Sequence, residues 1–122
     1  MFRRYIEAYL NRAKKDWANR ETWAQQVEFY IDIAAALAPN DPFILENAMD
    51  ELNTVGNYSE NGCPHYEKAI HFGEAALALL EGTTITVEGR VRSYPTQPIK
   101  EGLQPRLKRI RDKVEACCKK TP

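Results

Sequence analysis

Four consecutive segments of this chain repeat apolar side chains at three- and four-residue steps, the spacing that stacks them on one face of an α-helix. In the first, Phe2, Tyr5, Ile6, Tyr9, Leu10, Ala13 and Trp17 form one stripe, which predicts a helix over about residues 2–17. The second carries Trp23, Val27, Tyr30, Ile31, Ala34 and Leu37 behind a cap at Asn19 or Thr22, and it has to stop before Pro39. At Asp41-Pro42 a carboxylate that can accept from orphan amides precedes a proline whose missing N–H costs nothing at a first helical position, so a third helix starts there. Its stripe is Ile44, Leu45, Ala48, Met49, Leu52 and Val55, ended by Gly56-Asn57. Residues 59–64 have no period and read as a loop. A fourth helix places Tyr66, Ala69, Ile70, Gly73, Ala76, Leu77 and Leu80 on one face and ends at Gly82.

The pattern then changes. Thr83 to Tyr94 is β-branched and interrupted by Glu88-Gly89, which predicts either a short hairpin or an extended loop. Pro95, Pro98 and Pro105 break up the stretch that follows, and Leu103, Leu107, Ile110, Val114 and Cys117 define a last amphipathic helix with a basic outer face. The expected fold is all-α: antiparallel helical hairpins of about five helices in one domain, with helices over 1–81, the hairpin or extended insertion over 82–99 and the basic helix over 100–120. At 122 residues the chain can bury roughly two-thirds of the surface its unfolded form exposes, enough to fold without a staple.

A formal net charge of zero conceals a segregated layout. Residues 1–20 carry six Lys/Arg against two Asp/Glu, residues 21–81 one against eleven, and residues 82–122 ten against four, or +4, −10 and +6. An acidic centre between basic ends can close on itself or present opposite faces to partners. The uncharged stretch from Ile33 to Asn40 is far short of the ~20 residues that cross a bilayer, so no membrane association is expected. The opening Met1 to Glu7 is charged and amphipathic, with no apolar run behind it to act as an export signal. Three cysteines, two adjacent, form no tidy secreted framework, and a reducing cytoplasm is the expected setting.

The run from Val27 to Pro42 resembles the second helix and closing Pro-Asn of a tetratricopeptide repeat. Leu45, Ala48, Leu52 and Gly56 fall where that family's first helix has its large, small, large and glycine positions. After an insertion of about seven residues, Tyr66, Ala69, Ala76 and Leu77 match the tyrosine, alanine and alanine-leucine positions of the second helix. The resemblance covers residues 2–81 and implies two stacked helical hairpins capped by the C-terminal helix. An irregular helical bundle accounts for the same stripes without a repeat.

Catalytic chemistry finds little purchase. His65 and His71 are the only side chains that titrate near neutral pH in their ordinary state, and no nucleophile motif accompanies them. Glu67, His71 and Glu74 align on one helix, with Asp50 or Glu51 available nearby, but the paired Glu-x-x-His motifs of a bundle metal site are missing, so they read as a solvated face. Cys63 and His65 with Cys117-Cys118 lack the spacing of a zinc site and read as buried or idle groups. No catalytic residue, metal or cofactor is therefore expected. Some members of the resembled family hold an acidic peptide C-terminus through Asn and Lys/Arg, and by that likeness Asn47 matches the asparagine while Arg109 and Lys113 mimic the basic pair. The first unit has Glu7 and Asn11 in place of Lys and Asn, which leaves the clamp incomplete. The leading expectation is a non-catalytic adaptor, regulator or inhibitor that meets a protein partner through the groove between the first and third helices and through Arg106, Arg109 and Lys113. The alternative is a nucleic-acid-associated subunit that touches phosphate through residues 90–120.

Overall fold

The structure, a computed structural model, describes residues 2–118. Among these, five α-helices follow in the order α1 (Arg3–Lys15), α2 (Arg20–Leu37), α3 (Pro42–Tyr58), α4 (Cys63–Ala78) and α5 (Thr96–Cys117). A 3-10 turn at Trp17–Asn19 joins the first two, and an antiparallel hairpin of β1 (Thr84–Thr86) and β2 (Ser93–Pro95) precedes the last. The fold is all-α, and the insertion is a hairpin, with Ile85 opposite Tyr94. No described helix is long and apolar enough to cross a membrane.

Local chemistry sets the start of α3 as expected. Asp41 Oδ1 accepts from the amides of Phe43 at 2.9 Å and Ile44 at 3.3 Å, with Pro42 in the first turn. The start of α2 is built differently. Asn19 occupies its N-cap without a side-chain cap bond, because its amide donates to Asp16 instead, at 3.0 and 3.1 Å, alongside Trp23 Nε1 at 3.2 Å. Asp16 thus ties the turn to α2, and the expected capping bond is replaced.

Helices adjacent in sequence pack on one another, and α3 also touches α1 and α5. The core runs through all five: Ile6, Val27, Ile31, Leu45, Met49, Leu52, Val55, Ala69, Ala76, Leu103, Leu107 and Ile110 are buried. Small residues set the spacing. A Cβ on Gly73 would lie 2.7 Å from Met49 Sδ and 2.8 Å from Leu107 Cδ1, so α4 approaches α3 and α5 as closely as it does because no side chain stands there.

Three expectations need correcting. On α1 only Ile6 and Ala13 are buried, while Tyr5 is 55% exposed and Trp17, in the 3-10 turn, 54%. The aromatic side chains instead form a partly exposed ladder, with Tyr5 and Tyr9 stacked on Tyr30 at 5.2 and 5.9 Å and Tyr9 on Trp23 at 6.0 Å. Next, α5 begins at Thr96 and runs through Pro105. Proline removes one backbone hydrogen bond and costs about 3 kcal/mol in a helix interior, but Pro105 is exposed and Leu103 and Leu107 on either side of it are buried, so packing holds the helix together. Residues 119 and 120 of the expected last helix lie outside the described residues. Finally, Cys63 at the start of α4 is bonded to Cys118 at the end of α5, with Cα atoms 5.6 Å apart, and Cys117 is the free thiol. Cross-linking positions 55 residues apart restricts the unfolded chain. Reduction is expected to lower stability by about 2–4 kcal/mol, measured as a fall in Tm that the Cys118→Ser variant does not show on adding reductant. An equal response from both proteins would mean that the bond contributes nothing.

Candidate functional site

Helix α3 presents several stripes. One, Leu45, Met49 and Leu52, enters the core. A second, Ile44, Asn47, Ala48 and Glu51, forms one wall of a groove of about 690 Å³. The lining is completed by Phe2, just before α1, and Arg3 and Ile6 within it, by Ile31, Ala34 and Leu37 of α2, and by the hairpin turn Glu88-Gly89-Arg90. The volume lies within the ~300–1,000 Å³ usual for ligand pockets.

The hairpin is anchored there by specific contacts. Tyr94 packs edge-on against Phe43 at 5.0 Å, and the Arg90 guanidinium lies over the Phe43 ring at 4.8 Å. Arg90 also reaches Asp41 at 3.7 Å, so one carboxylate both caps α3 and holds the turn. Gly89 has φ of +83°, a conformation that side-chain-bearing residues rarely adopt.

Asn47 and Glu51 lie one helical turn apart in this groove, and neither side chain has a hydrogen bond or ion pair with another described residue. Burial pushes the Glu51 carboxyl up to about 7, against the pull of Arg3 and with reinforcement from the negative charges of Asp50 and Glu7. Sequence reasoning placed Asn47 here but offered Glu51 only as a spare metal ligand. Its proximity to the N-terminal helix was the missing information.

A third stripe on α3 receives α5. Arg106 forms ion pairs with both Glu46 and Asp50. Lys113 Nζ donates to Asn53 Oδ1 at 2.7 Å and Asn57 Oδ1 at 3.1 Å and lies 5.0 Å from the centre of the Tyr66 ring. Burial pushes the Lys113 pKa down, and burial likewise pushes the Asp50 pKa up against the influence of Arg106. Arg109 remains exposed, with its Nε donating to Pro105 O at 3.4 Å. The three basic residues therefore do not join Asn47 in one site. Arg106 and Lys113 serve the contact between α5 and α3, while Arg109 faces outward.

The other candidates are dispersed. Glu74 pairs with Arg111 at 3.5 Å, and Glu67 and His71 are exposed. His65 Nδ1 is 3.5 Å from Glu28 Oε2, in a polar contact where Lys68 also reaches Glu28 at 3.2 Å and Asp32 at 2.6 Å. Among the described residues no group of three or more His, Cys, Asp or Glu is placed to hold a metal ion.

Two measurements test these electrostatics. Arg106→Glu should lower stability by about 1–3 kcal/mol and Arg109→Glu by less than about 0.5 kcal/mol, read from denaturant melts of both variants. For Glu51, a folded pKa of about 7 against an ordinary value of 4.5 means that the native state holds the extra proton between those pH values. Its contribution to stability therefore falls as pH rises from about 4.5 to about 7 and then levels off. Glu51→Gln should remove that decline and be more stable than wild type at pH 8 by on the order of 1 kcal/mol, solvent access being discounted. Parallel pH profiles for the two proteins would refute this.

Compared with known proteins, the chain matches no family model, no curated protein and no solved structure.

Proposed function

We propose that this protein is a non-catalytic interaction module whose partner surface is the groove between α1 and α3. The observation that carries this reading is a largely apolar recess of about 690 Å³ in which Asn47 and Glu51 form no hydrogen bond or ion pair with another described residue, whereas Arg106 and Lys113 on the basic helix do. Half-buried polar groups without a hydrogen bond beside apolar walls can discriminate among occupants; charges already engaged inside the fold have less to offer a partner. The arrangement also suits a repeat-like reading, since α1 and α3 are the leading helices of the two successive pairs α1/α2 and α3/α4 and together line the groove.

The basic C-terminal helix is accordingly assigned to the fold more than to the interface. Of its basic residues, Lys108 pairs with Asp112 at 3.1 Å and Arg111 with Glu74, so that among the described residues Lys100 and Arg109 are the natural contributors to any external contact. That sparse surface gives the phosphate-binding alternative less support than the groove gives an adaptor. The expected cytoplasmic setting drew on the cysteine pattern and on the charged opening residues, and the Cys63–Cys118 bond removes the first of these supports, since disulfides persist mainly in oxidising compartments.

Affinity capture from source cells, with and without nuclease, tests the assignment when three proteins are compared: wild type, Ala34→Trp to fill the groove, and Arg109→Glu. Protein partners are expected to survive nuclease, to be lost with Ala34→Trp at unchanged Tm, and to be retained with Arg109→Glu. Loss of every partner on nuclease treatment would favour the nucleic-acid reading, and capture unaffected by Ala34→Trp would exclude the groove.

A further inference from the structure

We propose that the groove takes a basic segment of a partner protein, with a lysine or arginine side chain meeting Glu51 and flanking apolar residues lying against Phe2, Leu37 and Ile44. This occupant presupposes that the groove is the partner surface, and charge complementarity identifies its chemistry. The ionisable side chains lining the groove are Arg3, Asp41, Glu51, Glu88 and Arg90. Arg90 pairs with Asp41 at 3.7 Å and Arg3 with Glu7 at 3.2 Å, and Arg3 also attracts Glu51 without forming an ion pair with it. Asp50, next to Glu51, is engaged by Arg106. Glu51 and Glu88 are left without an ion-pair partner among the described residues. Three carboxylates, Asp41, Glu51 and Glu88, stand against the two cations Arg3 and Arg90 in the lining, and this excess of negative charge favours a cationic occupant over an anionic one.

The shape of the recess favours a stretch of polypeptide. Past Leu37, Ala38, Asp41 and Glu88, the groove adjoins a smaller hollow of about 190 Å³ that reaches Pro39, Asn40 and Val87. Leu37, where the two meet, is 67% exposed, so the apolar lining continues onto the surface. Two adjoining hollows that combine apolar side chains with a carboxylate match a side chain with a hydrocarbon stem and a charged head, set in a segment long enough to reach both. Asn47, one turn from Glu51, offers an amide donor and a carbonyl acceptor to the backbone of that segment.

Proton linkage follows from the same geometry. The charged groups around Glu51 are Arg3 and Glu7 from α1, Asp50 on its own helix, Asp41 from the loop before α3, and Glu88 and Arg90 from the hairpin, while α2 lines the groove with Ile31, Ala34 and Leu37 alone. An ammonium or guanidinium group in the groove favours the ionised carboxylate, so binding releases a proton and tightens as pH rises from 6 to 8.

The test uses the full chain and three synthetic ten-residue peptides with blocked ends, in which alternating leucine and serine surround one central lysine, glutamine or glutamate. Calorimetry is expected to show the lysine peptide binding about tenfold tighter than the glutamine peptide at pH 8, with the glutamate peptide weakest. Glu51→Gln should abolish the lysine preference and its pH dependence. Glu88→Gln, on the exposed turn, should weaken lysine binding only about twofold and serves as a second variant if Glu51→Gln proves unstable. Equal affinities, a preference for glutamate or failure of all three peptides to bind would each overturn the cationic assignment. Such failures leave the groove itself standing if Ala34→Trp still abolishes partner capture; if it does not, the underlying reading has failed as well.

Discussion

At Gly73, α4 comes so close to its neighbours that a Cβ would collide with Met49 of α3 and Leu107 of α5. That approach brings three helices around one point and leaves α3 in contact with each of the other four. Met49, Leu52 and Val55 are wholly removed from water as a result, each worth about 1.5–3 kcal/mol relative to exposure. With its apolar stripe absorbed in this way, α3 has other faces to commit elsewhere. Glu46, Asp50, Asn53 and Asn57 receive α5, and Ile44, Asn47 and Glu51 line the groove.

The uneven charge along the chain is largely reconciled inside the fold. Arg106 and Arg111 on α5 meet Glu46, Asp50 and Glu74 from the acidic middle. Within that middle segment, Lys68 meets Glu28 and Asp32. These are partly exposed pairs, modest one at a time, and their larger effect is to orient α5 across α3 and α4. Glu51 stands outside this arrangement. Half-buried and held near neutral pKa, it retains a capacity for partnership that its neighbours have already used.

Much of the fold was legible because it is written in local chemistry. Asp41-Pro42 specifies a helix start wherever it occurs, since the carboxylate reaches amides two and three residues on. The stripes of α3 and α4 were legible in period and in direction, being flanked by polar residues. The α1 stripe was legible in period only: Tyr5, Tyr9 and Trp17 look the same in sequence whether they enter a core or stack across an open face. Pro105 misled because its cost is local and the burial of Leu103 and Leu107 that offsets it is not. Asn47 was found through its position in the third helix, whereas Glu51 could be assigned no role until α1 and the hairpin turn were in place around it.

The sequence by itself determined where α3 begins, how many helices there are and that the chain is all-α, because those properties depend on contacts within a few residues. Tertiary structure alone decided that Cys63 meets Cys118, that Arg106 and Lys113 turn inward while Arg109 does not, and that Asn47 and Glu51 face an open groove. These juxtapositions join residues dozens of positions apart. Short-range patterning leaves them undetermined because each depends on how whole helices settle against one another, and here that settling is governed by the close approach at Gly73.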